Sequence, residues 1–317
     1  MEHGVFVISL DFELLWGQLD QPNKEAYKKN VLGGRVAISK ILELFKKYGV
    51  HATWATVGLL ALENKDELTT YRPSRVPNFT NKKCSAYGHL QEVGKNEDCA
   101  PYFFGPSLIK EIQSYENQEI ATHTFSHYYC NEIGADIDSF REDLRAAKQV
   151  MQEKYGVVLN SIVFPRNHAL PEYVKVASEE GIKYWRGNPH GFSLRKNRLS
   201  RIWNRVRRFL DAYIPIFGHL TSVPAKTADE ALCIRSSRFF RPYNERLSFL
   251  EPLKIYRIKK QMEYAAIHKT VFHLWWHPHN FGVHTAQMLK QLECVLQYYS
   301  QLQSAYGMES RSMEEFC

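Results

Sequence analysis

Long apolar runs are missing from this 317-residue chain. No stretch approaches the roughly 18 consecutive apolar residues that a membrane-spanning helix requires, so none is predicted. No leader is predicted either. Met1-Glu2-His3-Gly4 passes into a short apolar run that soon meets Asp11, whereas a signal peptide opens with basic residues and continues with a longer apolar stretch. The cytoplasm is therefore the expected location. Paired cysteines are also absent: the six Cys, at 84, 99, 130, 233, 294 and 317, form no C-x-x-C pair, which leaves zinc-ribbon and thioredoxin readings without support. Reduced thiols are expected in that compartment, with a Cys84–Cys99 link as the alternative. There is no internal repeat and no low-complexity linker.

What remains is the composition of an ordinary globular protein, 44% apolar and 24% charged, long enough for one large α/β domain or two smaller ones. The net charge of +7 suggests anionic company, although much of the excess is local. Val5-Phe6-Val7-Ile8-Ser9-Leu10 reads as a buried strand that ends in Asp11-Phe12-Glu13. Apolar spacing over 33–48, closed by Gly49, predicts a helix, and 50–58 reads as a second strand. Together they imply a right-handed βαβ unit. Residues 63–105 are polar with little periodicity and read as a long excursion over one face, a kind of loop that is often functional. Pro106 can start a helix through Tyr115. Strands are then predicted at 119–122, 161–165, 181–185 and 270–276. Helices are predicted at 136–154, 171–180, 245–267 and 284–304.

This alternation favours an α/β protein with a parallel sheet. Polar residues gather just past the strand ends, at 11–13, 123–127, 166 and 277, where a barrel of this type assembles its active face. His123 and His127 are four apart. On a helical turn they would lie on one face and reach one metal, as the two His of H-E-x-x-H do. Asp11 and Glu13, two apart at a strand end, can point to the same side, one to bind metal and the other to act as base. Two His and one carboxylate with an open position is a common zinc hydrolase plan, and zinc lowers the pKa of its water to about 7.

With these residues in view, the chain resembles the polysaccharide deacetylases of carbohydrate esterase family 4, the NodB-homology group. Ser9-Leu10-Asp11-Phe12-Glu13 is similar to the first motif of that family. Tyr48-Gly49-Val50-His51-Ala52-Thr53-Trp54 is similar to the segment after its first helix, and His123-Thr124-Phe125-Ser126-His127 matches the second motif. Phe164-Pro165-Arg166 resembles the third, and Leu274-Trp275-Trp276-His277-Pro278 the last. The wording of the first and last motifs resembles WbmS-type O-antigen proteins of bacterial surface-polysaccharide clusters more than secreted deacetylases. The resemblance implies a distorted (β/α)7-type barrel, expected here as a single domain over 1–317 with a long surface insertion at about 63–105.

It also implies roles. Glu13, His123 and His127 would hold a divalent metal, zinc first. Asp11 would be the general base on the attacking water, Arg166 would pair with Asp11 and orient it, and His277 would be the general acid at the leaving amine. Base and acid are split because each must hold a different protonation state at one pH. Trp16, Trp185 and Trp275 could stack on sugar rings. His279 is a loop or substrate contact and His273 a core histidine. Two departures from the family pattern are Glu13 in place of Asp, and Asn167-His168-Ala169 after Arg166.

The implied activity is removal of an N-acetyl or N-formyl group from an amino sugar, carried on a nucleotide or a lipid, in surface-polysaccharide assembly. The basic amphipathic segment at about 194–212, with Arg on one face and Leu199, Ile202, Trp203, Val206 and Phe209 on the other, could lie on an anionic bilayer or grip a diphosphate. It could equally pack on the barrel. In the first case the protein would sit at the inner face of a membrane. No nucleic-acid motif accompanies the charge. Two rivals stay open: a glycoside hydrolase using Asp11 and another carboxylate, and a catalytically silent carbohydrate-binding protein.

Overall fold

The computed structural model describes residues 1–189, 211, 213, 218–227 and 230–316. The basic segment expected at 194–212 lies outside them except for Asp211. Among the described residues no helix is long and apolar enough to cross a membrane.

The first strand, β1 (Val5–Phe12), is buried along its whole length. Side chains alternate between the two faces of a strand, and here both faces are covered. Phe6, Ile8, Leu10 and Phe12 enter the large core beneath the helices. Val5 and Val7 point the other way, into a smaller cluster with Ala55, Val163, Ile234, Val271, Met313 and Phe316. On that inner face the valines give way to Ser9 and Asp11, and Glu13 follows. Its lower part is therefore hydrocarbon and its upper part polar.

Strands β2 (Ala52–Thr56), β3 (Gln118–Thr122), β4 (Ser161–Ile162) and β5 (Tyr184–Gly187) follow in order on one side of β1. On the other side lies β9 (Val271–Trp276), in parallel register with Val5 opposite Val271. Short β6 (Ala225–Lys226) runs antiparallel beside β7 (Leu232–Arg235). The segment 232–239 closes the sheet. Its first half, β7, pairs with β5; its second half, β8 (Arg238–Phe239), pairs with β9. At the crossover, Ser236 N–H donates to Gly187 O at 2.8 Å and Ser237 N–H to His273 O at 2.8 Å. The sheet thus curls into the distorted (β/α) barrel that the family resemblance implies. The closing strand was not foreseen, because a short apolar run does not reveal its partners.

Helices α1 (Lys24–Tyr48), α2 (Glu67–Tyr71), α3 (Pro106–Gln113), α4 (Ile137–Tyr155), α5 (Pro171–Glu179), α6 (Glu251–His268) and α7 (Thr285–Tyr306) accompany the strands. Helix α1 begins nine residues before the predicted boundary at 33. Gly33 and Gly34 lie inside it because close packing needs them. A Cβ on Gly33 would meet the Gly282 oxygen at 1.9 Å, and one on Gly34 the His279 Cα at 2.6 Å.

Residues 63–105 differ from the loose excursion expected. They hold α2 and two 3-10 turns, and they bury Phe79, Cys84, Ala86, Val93, Phe103 and Phe104. Cys84 and Cys99 are both free thiols. A last strand, β10 (Glu309–Arg311), pairs with Val5–Val7. With β9 along one edge of β1, β10 occupies the lower half of the edge whose upper half belongs to β2. The chain then turns inward, so Met313 and Phe316 plug the bottom of the barrel.

Candidate active site

The polar residues of the inner face converge on one buried carboxylate, that of Glu13. It leaves β1 just before Leu14, whose φ is +47°, and lies across Gly17. Its Oε2 is 3.1 Å from His127 Nε2 and 3.6 Å from His123 Nε2. Its Oε1 is 3.8 Å from His277 Nε2 and 4.0 Å from His279 Nε2. Burial raises the Glu13 pKa, but His277, His123 and His127 more than offset it and hold the carboxyl well below its usual value.

His123 and His127 do come together, with ring centroids 5.0 Å apart, but not on the helical turn that their spacing predicted. After β3 the chain bends, with Thr124 at φ +65° and His127 at φ +56°, a left-handed region that a β-branched Thr rarely occupies. Asp143 of α4 holds the bend. It accepts from Phe125 N–H at 2.7 Å, Ser126 N–H at 3.2 Å and the Ser126 hydroxyl, although burial still pushes its pKa up to about 6. The His123 tautomer is fixed. Nδ1 lies 2.7 Å from Val163 O, and a carbonyl only accepts, so Nδ1–H donates and Nε2 is the ring nitrogen left to face Glu13. Burial, ahead of the opposing pull of Glu13, lowers the His127 pKa and keeps that ring neutral.

Asp11 stands one strand step below Glu13. The pairing with Arg166 that the sequence suggested is not found. Arg186, which the sequence reading missed, grips Asp11 instead with two parallel bonds, Nη1 to Oδ1 at 2.5 Å and Nη2 to Oδ2 at 2.8 Å. Arg186 is itself fixed: Nη2 donates to Asn167 Oδ1 at 2.8 Å, Nη1 donates to Ser9 Oγ at 3.0 Å, and the guanidinium lies 4.3 Å from the Trp275 ring centre. Burial raises the Asp11 pKa, but Arg186, with His123 and His277, carries it below the ordinary value. Arg166 turns outward to Asp20 at 2.5 Å and covers the Tyr129 ring at 4.1 Å. Tyr129 in turn meets His127 edge-on at 4.9 Å, so Arg166 borders the site without touching Asp11. The cue for Arg186 was available, since it too ends a strand, just after Tyr184-Trp185.

The last strand supplies the remaining groups. His273, Trp275 and His277 alternate up the inner face of β9 and beyond it. His273 is fully buried, with Nε2 2.8 Å from Ser9 Oγ, and burial drives its pKa down to about 3. The His277 side chain remains 21% exposed and is the most accessible imidazole facing Glu13. Its Nδ1 faces Asn280 Oδ1 at 3.3 Å, and its Nε2 lies 3.7 Å from Asp11 Oδ2. His279 is a buried group rather than a loop contact: 4% exposed, its ring stacked on His277 at 4.8 Å, with a pKa lowered by burial to about 3.

Two of the three Trp proposed to stack on sugar are packing residues. Trp16 is 1% exposed and its Nε1–H donates to Phe103 O. Trp185 points into the helix layer against Phe164, as strand alternation requires when Arg186 faces inward. Trp275 alone stays at the inner face, half-buried.

The donors fit a divalent ion. Glu13, His123 and His127 bring one ligand atom each within 4.8 Å of the others. Donors about 2.0–2.2 Å from one zinc ion lie up to roughly 4 Å apart. The 3.6 Å separation of His123 Nε2 from Glu13 Oε2 is beyond a direct hydrogen bond but inside that span. Nitrogen and carboxylate donors also suit zinc chemically.

Residues 33–185 match the polysaccharide deacetylase family model. The match covers just under half of the chain, including both His of the 123–127 bend and omitting β1 and β9. It supports a deacetylase-type hydrolase. Among solved structures, a Mycobacterium smegmatis protein provisionally described as a polysaccharide deacetylase aligns at TM-score 0.61 and 12% identity, over 99% of this chain and 89% of that one. A GH57-type branching enzyme from Pyrococcus horikoshii aligns at TM-score 0.54 and 14% identity, over 100% and 70%. A GH57 branching enzyme from Thermococcus kodakaraensis aligns at TM-score 0.55 and 12% identity, over 100% and 72%. At such identities these likenesses concern the fold alone. No curated protein is significantly similar in sequence.

Proposed function

We propose that the protein is a zinc-dependent N-deacylase that removes an acetyl or formyl group from an amino sugar during bacterial surface-polysaccharide assembly. The observation that carries this reading is the division of labour between the two carboxylates. Glu13 faces imidazoles only among its described ion pairs, whereas Asp11 is locked in the Arg186 fork. The first arrangement suits a ligand and the second a base.

Glu13, His123 and His127 would hold the ion. When bound there, a divalent ion supplies Lewis-acid polarisation of the acyl oxygen and a more acidic water. Asp11, held ionised, takes the proton from the attacking water. Arg186 fixes the direction of its oxygens and stabilises their charge before the proton arrives. His277, with Nδ1 turned to Asn280, directs Nε2 into the opening and hands a proton to the leaving amine. Trp275 offers a flat apolar edge beside it. An amino-sugar substrate carried on a nucleotide or lipid, and a surface-polysaccharide role, are supported by the likeness of the first and last motifs to proteins of such clusters.

The glycosidase reading loses ground on charge. A glycosidase needs one carboxylic acid kept protonated near neutral pH, yet Asp11 and Glu13 are both held below their usual values. The silent reading loses its main support too, because Glu13 reaches both imidazoles despite its extra methylene. The test is release of acetate or formate from N-acetylated and N-formylated hexosamines, free and nucleotide-linked, by wild type and Asp11→Asn. Release by wild type and at least a 100-fold loss in the variant are expected. Glycosidic cleavage without acyl release, or no turnover of any acylated sugar, would overturn the reading.

A further inference from the structure

The two oxygens of Glu13 face two different pairs of imidazoles. Oε2 is turned to His123 and His127, and Oε1 to His277 and His279. Each pair forms with Glu13 a compact triad of donor atoms within 4.8 Å, and the two triads share Glu13 alone. The second triad serves no purpose in the reaction derived above, where His277 needs a free Nε2 and His279 does nothing.

We infer that Glu13, His277 and His279 form a second divalent-ion site, and that an ion seated there switches the enzyme off. The inference rests on the reading of Glu13, His123 and His127 as the catalytic site. Three features of the second triad support it. The Nε2–Oε1 separations of 3.8 and 4.0 Å exceed a hydrogen bond but fall within the span of donors that share one zinc ion, up to roughly 4 Å. The rings are prealigned, stacked 10° from parallel with both Nε2 atoms toward the same oxygen. Their backbone is also pinned. Pro278–Phe281 forms a 3-10 turn that rests directly on the backbone of α1, because Gly33 and Gly34 carry no side chain. The Tyr27 ring meets His279 edge-on at 5.1 Å, which limits rotation of the imidazole.

A carboxylate that binds one ion through each oxygen is the usual bridge of two-metal sites, where the ions stand about 3.5–4 Å apart. Here the second ion would occupy His277 Nε2, the atom that must face the leaving amine. Its binding therefore opposes turnover. The site is selective by construction, since two imidazoles and one carboxylate favour zinc and its neighbours over magnesium or calcium.

The experiment is equilibrium dialysis of the full chain against increasing zinc, with the bound metal counted by elemental analysis. It is run on wild type, His279→Gln, His277→Ala and His123→Ala, and the melting temperature of each confirms folding. Because His277 is partly exposed, its variant guards against a His279 variant that fails to fold. Wild type should take up a second equivalent at higher zinc, with acyl release falling at least fivefold as it binds. His279→Gln and His277→Ala should stop at one equivalent. A single equivalent in wild type that persists in both variants and disappears in His123→Ala overturns the second site and leaves the deacylase reading intact. A single equivalent retained by His123→Ala but lost in His277→Ala and His279→Gln overturns the deacylase assignment of the ligands. No bound zinc in any form overturns both.

Discussion

Gly17 leaves the space that the Glu13 carboxylate fills: a Cβ on residue 17 would lie 2.1 Å from Glu13 Cδ and 2.2 Å from Oε1. The longer acid is usable because the opposite residue has no side chain. Gly17→Ala should displace the carboxylate and lower zinc affinity by about 10–100-fold, the usual cost of disturbing a group that orients a ligand. The melting temperature should change little, since the clash falls on the free end of the Glu13 side chain. Competition with a chromogenic chelator measures the affinity, and an unchanged value would show that Glu13 is not a ligand.

The two arginines separate by partner. Arg186→Gln leaves a buried carboxylate without its cation, and breaking such a pair typically costs about 3–5 kcal/mol. Arg186→Lys keeps the charge but not the fork, so turnover should still fall. Arg166→Ala loses the partly exposed pair with Asp20 and the cover over the Tyr129 ring, and should cost less, about 1–2 kcal/mol. Urea unfolding and acyl-release rates on the three variants check this order. The reverse order would favour the pairing expected from sequence.

Asp143 makes no contact with the proposed reacting groups, yet it holds the bend that presents both imidazoles. Asp143→Ala strands the buried N–H groups of Phe125 and Ser126, each worth about 1–3 kcal/mol when left unpaired. Zinc binding should weaken together with stability, as read by calorimetry with and without the metal. Full zinc affinity in a destabilised variant would show that the bend holds without its anchor.

Glu119 gives a pH dependence. It is buried at the foot of β3, where it accepts from Thr53 Oγ1 at 2.6 Å and from Met313 N–H at 2.9 Å, tying down the C-terminal plug. Burial, with Glu314 adding to it, raises its pKa to about 7 from the usual 4.5. The folded state then binds its proton more tightly than the unfolded chain does. The contribution is complete below about pH 4.5 and is lost as pH rises toward about 7. Urea midpoints measured from pH 4.5 to 7.5 should therefore carry a falling component that Glu119→Gln removes. An identical pH profile in the variant would contradict the assignment.

The barrel was legible because its strands announce themselves twice. Val5-Phe6-Val7-Ile8 marks β1 by composition, and Asp11 with Glu13 marks its upper end by chemistry. The same pairing of signals placed His123, His127 and His277. What escaped the sequence depended on contacts distant along the chain. Arg166 and Arg186 each lie near the end of a strand, and only the closed barrel decides which one reaches Asp11. The spacing of His123 and His127 fits a helix, but Asp143, sixteen residues beyond His127, holds the backbone in another shape. Trp185 and Arg186 illustrate a one-residue parity: the side chain assigned to sugar faced the helices and its neighbour faced the site. The strand at 232–239 has too few apolar residues to declare two partners.

The most direct measurement of the central claim is elemental analysis of purified wild type beside Glu13→Gln, His123→Ala, His127→Ala and Asp11→Asn, dialysed against a low zinc concentration. The account predicts one zinc equivalent in wild type and in Asp11→Asn, which should be folded but inactive. It predicts little zinc in the three ligand variants. Retention of zinc by His123→Ala and His127→Ala, or its loss from Asp11→Asn with retention by Glu13→Gln, would contradict it.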